Sequence, residues 1–169
     1  MKRQSPKAID LFCGAGGLTL GLKMAGFKVL GAVDIDDAAC ESYKLNHEDV
    51  YLWKQDIRKL SAAEILATLK LNPGELDLLS GCPPCQGFST IRTLNRNPAK
   101  DNRNDLVFEF LRIAKALKPK SIMMENVPGL AVDKRMKRFS KELTALGYIC
   151  KMNVVNAADY GVPQRRRIS

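Results

Sequence analysis

The sequence predicts an α/β fold in which a mostly parallel sheet carries helices on both faces. Short apolar runs alternate with segments in which apolar residues recur every three or four positions, and this alternation is typical of such folds. Glycines follow the first apolar run directly, as they do where a strand turns tightly into a helix. No repeat or low-complexity tract interrupts the pattern, and the 169 residues fit a single domain, residues 1–169.

The predicted strands are, in chain order, KAIDLFC, FKVLGAVD, VYLW, ELDLLSG, KSIMMEN and YICKMNVVNA. The first helix, LTLGLKMAG, should end at Gly26, because glycine favours helix C termini. DDAACESYKLNH follows as the second helix. The third, SAAEILATLK, begins with Ser61 and Glu64 at the spacing of a capping box. Two more helices are predicted over about 105–117 and Met136–Leu146, and the final QRRRIS resembles the start of another strand.

Composition and charge narrow the class of protein. Lysine and arginine total 27 against 18 acidic residues, a formal charge of +9, which suits a polyanionic partner or a basic solvated surface. Five cysteines, an odd number, argue against a disulfide framework. The N terminus lacks a signal-peptide hydrophobic region, and no apolar run approaches the ~20 residues of a membrane span. We therefore expect a protein of the prokaryotic cytoplasm, or of the nucleus if the source is eukaryotic, without a membrane partner.

The glycine-rich turn after the first strand is a candidate nucleotide site. Gly14 and Gly16 would let a ligand approach the backbone, and the following helix N terminus favours negative charge. The pattern departs from the dinucleotide fingerprint, because Thr19 stands at the third glycine position. This weakens the prediction of an NAD-dependent oxidoreductase.

Two acidic residues at strand ends strengthen the case for a nucleoside ligand. Asp34 ends the second strand, where its carboxylate could accept hydrogen bonds from both hydroxyls of a ribose. Asp56 follows the third strand and could accept from an adenine amino group, with Ile57 against the ring. Because the carboxyl ends of parallel strands share one edge of the sheet, these residues favour an adenosine-containing cofactor.

The segment LSGCPPCQGFS, after the fourth strand, places Cys82 and Cys85 at a spacing used by zinc sites, redox dithiols and some nucleophiles. A structural zinc site needs four ligands, and the chain offers one histidine, His47, and no second cysteine pair; no metal is expected. A redox dithiol would normally open a helix of a smaller fold, whereas this pair follows the fourth strand. Glu125, at the end of the fifth strand, is a candidate general acid for a nucleophile in this loop.

Six motifs together resemble the DNA (cytosine-5)-methyltransferase family: DLFCGAGG, DIDDAA, PPCQGFS, DNRNDL, ENVPGL and ADYGVPQRRR, from about Ala8 to Ile168. The resemblance implies a Rossmann-like S-adenosylmethionine-dependent methyltransferase fold, truncated at the C-terminal end. It implies methylation of C5 of a flipped-out cytosine in double-stranded DNA, with S-adenosylhomocysteine as product. Cys85 would be the nucleophile that adds to C6, and Glu125 would protonate ring nitrogen 3.

The resemblance also assigns binding residues. The implied cofactor contacts are Phe12, Gly14, Gly16, Asp34, Ile35, Asp56, Ile57 and Leu106. The implied substrate contacts are Pro84, Gln86, Ser89, Asn126 and Arg166, and the polar stretch over 89–105 would close over the flipped base.

The arginine segment departs from the family pattern, which usually has two arginines one residue apart. Arg165 and Arg167 fit if the register is counted back from Ile168, whereas Arg166 fits if it is counted from Gln164. The family's target-recognition region and last motifs do not follow. We therefore expect a catalytic-domain fragment or one subunit of a split enzyme that needs a second polypeptide. A tRNA cytosine-5 methyltransferase and a non-catalytic regulatory partner remain alternatives.

Overall fold

The computed structural model describes residues 4–84, 106–128 and 134–162, together with the backbone of 167 and 168. The chain divides into two compact units. The first unit comprises Met1–Cys82 and Arg112–Met124, and the second comprises Pro83–Leu111 and Glu125–Ser169.

The first unit is built on a five-stranded parallel sheet. Its strands are β1 (Lys7–Leu11), β2 (Lys28–Asp34), β3 (Tyr51–Lys54), β4 (Leu78–Gly81) and β5 (Ser121–Met124). The strand order is β3-β2-β1-β4-β5, and every neighbouring pair is parallel. The predicted parallel sheet is therefore confirmed, and the order reverses between β1 and β4, where open α/β sheets bind ligands.

Four helices follow these strands: α1 (Gly17–Met24), α2 (Asp37–Asn46), α3 (Ala62–Leu69) and α4 (Leu106–Leu117). The predicted end of α1 is confirmed, because Gly26 has φ 89° and donates to the Lys23 carbonyl at 3.0 Å. Phe27 donates to the Leu22 carbonyl at 3.0 Å, which completes a Schellman motif. At α3, Ser61 Oγ accepts from the Glu64 amide at 3.0 Å, as the capping spacing predicted.

Helices lie on both faces of the sheet. One buried cluster joins α1 and α2 to β1 and β2 through Ala8, Leu22, Ala32 and Tyr43. Gly31, which precedes Ala32, points to the opposite face because side chains alternate along a strand. A Cβ at Gly31 would lie 2.6 Å from the Trp53 ring and 3.2 Å from Leu69 of α3. The two-sided covering expected from the alternating pattern is thus observed.

The second unit contains α5 (Lys134–Ala145), whose Met136, Phe139 and Leu143 are buried. The Phe139 ring lies 6.0 Å from the ring of Phe110. Near the C terminus, β6 (Val155–Asn156) pairs in antiparallel fashion with β7 (Arg167–Ile168), and a 3-10 turn, Ala157–Tyr160, follows β6. The start of a strand predicted in QRRRIS is confirmed by β7.

The sixth strand is shorter than predicted. Of the segment YICKMNVVNA only Val155 and Asn156 form a strand, and they pair with β7 in a separate two-stranded sheet. Two of the apolar residues in this segment are exposed, Ile149 by 90% and Val154 by 56%. Asn156 ends the strand, because its side chain accepts from the Ala158 amide and caps the turn. None of the helices in the described parts of the chain could cross a membrane.

Candidate functional site

The glycine turn at the carboxyl end of β1 has a backbone that few residues other than glycine adopt. Gly14 has φ 54° and Gly16 has φ 97°, both in the left-handed region. Phe12 also has a positive φ, 60°, and its side chain is half-buried. A side chain built on Gly14 would meet nothing within 4 Å, so there is open space over this part of the turn. The turn therefore leaves the backbone at Gly14 open on this side, and binding of a ligand there stays a prediction.

Gly16 packs against His47, the residue directly after α2. The His47 ring lies so close that a Cβ on Gly16 would overlap it. His47 is 5% exposed, and its Nε2 lies 3.0 Å from the Gly16 carbonyl oxygen, to which it donates. Its ring also contacts Tyr43, with centroids 4.7 Å apart. His47 thus supports the turn. Among the described residues no group of three His, Cys, Asp or Glu side chains could hold a metal ion.

Asp34 joins the end of β2 to the glycine turn. Its Oδ2 accepts from the Gly14 amide at 2.8 Å. Its Oδ1 accepts from the amides of Ile35 at 2.8 Å and Asp36 at 2.9 Å. A carboxylate offers about four lone-pair positions, so roughly one remains for a ligand. Beside it, Ile35 is 64% exposed, so its side chain is accessible from solvent.

The turn after β3 carries Asp56. Its Oδ1 accepts from the Arg58 amide at 3.0 Å, and its Oδ2 lies 3.3 Å from Arg58 Nη1. The Asp56 side chain is 23% exposed, so it can still be reached by a donor. Ile57 is 4% exposed and packs into the protein, which leaves little of its side chain for a ring. The structure thus places the two predicted acids, Asp34 and Asp56, at the ends of adjacent strands.

Arg112, on α4, holds the same turn from inside the first unit. Its Nη2 donates to the Ile57 carbonyl at 2.8 Å and to the Leu60 carbonyl at 3.0 Å. The sequence predictions missed this residue because its partners lie 55 and 52 positions away, and nothing in the local pattern indicates them.

A buried polar network lies between β1, α1 and α2. Thr19 Oγ1 donates to Asp10 Oδ2 at 2.7 Å and lies 2.8 Å from the Tyr43 hydroxyl. Because Thr19 has one hydroxyl proton, Tyr43 is the donor in the second bond. Asp10 is fully buried, and its Oδ1 has no hydrogen-bond partner among the residues that the structure describes. The network gives Thr19 a structural role at the position where the dinucleotide fingerprint has a glycine.

Burial dominates the electrostatics of this network. Desolvation raises the pKa of Asp10 from 3.8 to about 6, the Thr19 hydrogen bond opposes the shift, and the charge of Asp34 adds to it. Burial also raises the pKa of the Tyr43 hydroxyl. An aspartate in the middle of the apolar run AIDLF was the signal for a buried polar partner, and the sequence predictions did not use it.

Two buried thiols in the first unit are poor nucleophiles. Burial raises the pKa of Cys13, and the charges of Asp10 and Asp34 raise it further. Burial and then Asp34 raise the pKa of Cys40 in the same way. Because the thiolate is the reactive form, neither residue is suited to catalysis. The cysteines in the described part of the chain are free thiols.

In the second unit, Asn126 connects the ENVPGL segment to the cysteine loop. It is 7% exposed, its Nδ2 donates to the Pro83 carbonyl at 2.8 Å, and its Oδ1 accepts from the Val127 amide at 2.9 Å. The side chain therefore holds backbone on both segments. Glu125 and Pro84 are half-buried, and Leu106 is 9% exposed at the start of α4.

The remaining predicted site residues lie outside the described residues. These are Cys85, Gln86, Ser89, Arg165 and Arg166, together with the stretch 89–105. Arg167 is described in its backbone alone, as part of β7. Their roles stay predictions.

The family model and the relatives found by comparison with known proteins agree with one another. The family model described as C-5 cytosine-specific DNA methylase matches residues 6–168. The type II methyltransferase M1.HphI of Haemophilus parahaemolyticus is 42% identical over 161 residues, which cover 94% of this chain and 43% of that protein. The type II methyltransferase M.AquIA of a Picosynechococcus species is 39% identical over 171 residues, covering 95% of this chain and 68% of that protein.

Solved structures agree with the fold. An E. coli prophage-encoded protein assigned as a DNA modification methyltransferase superposes with a TM-score of 0.80 at 35% identity, covering 97% of this chain and 45% of that one. Spodoptera frugiperda DNMT2 gives a TM-score of 0.76 at 26% identity, covering 97% and 48%. The chain thus spans less than half the length of several of these relatives. With a family model matched over almost its whole length, the chain belongs to the C-5 cytosine-specific DNA methylase family.

Proposed function

We propose that residues 1–169 form the catalytic and cofactor-binding domain of a DNA cytosine-5 methyltransferase. The enzyme would transfer a methyl group from S-adenosylmethionine to C5 of a flipped-out cytosine in double-stranded DNA. One observation carries the proposal: the Asp34 carboxylate is fixed beside the open glycine turn, at the edge of the sheet where β4 leads into the segment that contains Cys85. Family membership supports the reaction.

The residues at this edge fit the adenosine part of S-adenosylmethionine. The open space over Gly14 leaves room for a ligand against the backbone, and Ile35 offers an exposed apolar side chain for a ring. Asp34 and Asp56 supply acceptors for ribose hydroxyls and an adenine amino group. When bound, S-adenosylmethionine supplies a methyl group on a sulfonium. Phe12, Gly16 and Leu106 complete the proposed contacts, together with Ile57, which would contribute mainly its backbone because its side chain is buried.

Cys85 would activate the cytosine. Addition of its thiolate to C6 makes C5 nucleophilic, and protonation of ring nitrogen 3 by Glu125 removes the charge that opposes this addition. A free thiol has a pKa of about 8.5, so the loop must favour the thiolate. After methylation a base removes the C5 proton and the cysteine leaves. Pro84, Gln86, Ser89 and the arginines at 165–167 are the proposed substrate contacts, and Asn126 positions the loop through Pro83.

We propose further that the target-recognition region is supplied by a second polypeptide. The support for this proposal is that the second unit exposes apolar side chains that a partner would bury. Ile149 is 90% exposed, Tyr160 74% and Val154 56%. Because M1.HphI and M.AquIA are named as bacterial proteins, we place the enzyme in the cytoplasm.

Duplex DNA containing 5-fluorocytosine tests the nucleophile, because fluorine at C5 blocks the final elimination and traps the adduct. With S-adenosylmethionine and the second polypeptide present, we expect a covalent protein–DNA band on a denaturing gel. The band should be lost on Cys85→Ser and kept on Cys82→Ser, the matched control in the same loop. Equal trapping by both variants would refute the assignment of Cys85.

The same assay separates the alternatives. Trapping on 5-fluorocytosine tRNA in place of DNA would identify an RNA substrate. Absence of an adduct with every substrate, together with retained binding of S-adenosylhomocysteine, would indicate a non-catalytic partner.

A further inference from the structure

Arg112 uses its guanidinium to contact the backbone of a turn more than 50 residues away. One guanidinium nitrogen, Nη2, reaches the carbonyls of both Ile57 and Leu60, at 2.8 and 3.0 Å. A charged donor makes stronger hydrogen bonds than a neutral one, so this contact holds the two carbonyls firmly.

The segment held by Arg112 is the turn that carries Asp56. Within it the Lys59 amide donates to the Asp56 carbonyl at 2.9 Å, and the Leu60 amide donates to the Ile57 carbonyl at 3.2 Å. The side chains of Ile57 and Leu60 are 4% and 1% exposed, so both ends of the turn are anchored in the core. The direction of the Asp56 carboxylate thus depends on a short backbone segment that Arg112 of α4 holds in place.

We propose that Arg112 is a positioning residue for the adenine end of the cofactor site. By holding the carbonyls of Ile57 and Leu60, it fixes the Asp56 carboxylate in the direction that accepts the adenine amino group. Arg112 itself does not touch the cofactor. This inference rests on the proposed function, because it concerns selection of an adenine over a purine that lacks the amino group.

The test compares S-adenosylhomocysteine with S-inosylhomocysteine, in which a carbonyl oxygen replaces the amino group of the purine. Binding of each ligand is measured by calorimetry for the wild-type chain, Arg112→Gln and Arg112→Lys. We expect Arg112→Gln to weaken S-adenosylhomocysteine about tenfold and to change S-inosylhomocysteine less than about twofold. Arg112→Lys, with a single ammonium in place of the fork, should fall between.

A double-mutant cycle distinguishes positioning from general support. If Arg112 acts through Asp56, then Arg112→Gln combined with Asp56→Ala should bind S-adenosylhomocysteine no more weakly than Asp56→Ala alone. The matched control is Arg138→Gln, on α5, whose side chain is 68% exposed and should leave both affinities unchanged.

The possible failures are distinguishable. If the wild-type chain binds neither ligand, the proposed cofactor site is wrong and the inference falls with it. If the wild type binds S-adenosylhomocysteine but Arg112→Gln and Arg112→Lys weaken both ligands equally, or the cycle is additive, the positioning role is refuted and the proposed function stands. Loss of folding by Arg112→Gln, seen by circular dichroism, leaves Arg112→Lys to decide between these outcomes.

Discussion

Substitution of Gly16 by alanine should destabilise the protein through two separate causes. Its φ of 97° is strained for a residue with a Cβ, at a cost of about 1–2 kcal/mol. The new methyl group would also overlap the His47 ring, and displacement of that ring would break its hydrogen bond to the Gly16 carbonyl, about 1 kcal/mol. Alanine reduces the entropy of the unfolded chain, which offsets about 0.4–1 kcal/mol. The expected net loss is about 2 kcal/mol.

The assay is urea unfolding followed by tryptophan fluorescence. Trp53 is the single tryptophan of the chain and is 5% exposed, so its emission reports on the core of the first unit. The matched control is Gly17→Ala at the next position, the first residue of α1, where an added Cβ meets nothing within 4 Å. That change should leave stability equal or slightly increased, because alanine is favoured over glycine in a helix.

A double-mutant cycle separates the two causes. In a His47→Ala background the overlap and the hydrogen bond are both absent, so Gly16→Ala should cost only the backbone strain. The difference between the two backgrounds should be about 1 kcal/mol. If Gly16→Ala costs the same with and without the His47 ring, or costs nothing in either, the proposed contact between α2 and the glycine turn is wrong.

Two further predictions concern β1 and β4. Gly81→Ala would press a Cβ against the Leu11 carbonyl in the neighbouring strand, so the free energy of unfolding measured in urea should fall by about 1–3 kcal/mol. Gly21→Ala is the control, because the space around Gly21 is open and the substitution should not lower the free energy of unfolding. Equal stability of the two variants would contradict the close approach of Gly81 to Leu11. Asp10→Asn tests the buried carboxyl. The pKa of Asp10 is about 6 in the folded state and 3.8 in the unfolded state, so the native state holds the proton more tightly. The stability of the wild type should therefore fall, relative to that of the variant, as the pH rises from about 4 to about 6. The full difference is about 3 kcal/mol, at about 1.4 kcal/mol per pH unit, and parallel stability–pH curves for the two proteins would show that Asp10 does not titrate in this way.

The elements that the sequence predicts well are those whose signals are local. The five parallel strands are short apolar runs, and the ends of α1 and α3 follow from Gly26 and Ser61. The positions of Asp34 and Asp56 follow from strand ends alone, because parallel strands share one carboxyl edge.

The features that were missed depend on distant partners. Arg112 contacts backbone carbonyls more than 50 residues away, and Asp10 depends on Thr19 and Tyr43 from two other elements. The sixth strand was predicted to be longer than it is, and the reason is local rather than distant. Apolar residues such as Ile149 predict a strand, but in the second unit they are exposed, so hydrophobicity alone does not indicate strand pairing.

Asp34 shows why the glycine turn and the proposed cofactor site depend on one another. Its carboxylate accepts three backbone amides, and one of these, from Gly14, belongs to the turn itself. In Asp34→Asn, the side-chain NH2 group would face at least one of these backbone amides. Both groups are hydrogen-bond donors, so removing the charge would also disturb the backbone. With roughly one acceptor position left, Asp34 could take a single ribose hydroxyl without giving up an amide. A bond to both hydroxyls would require Asp34 to release one of the three amides. The bonds from Ile35 and Asp36 are exposed, whereas the bond from Gly14 is partly buried, so one of the two exposed bonds is the one a ligand can replace.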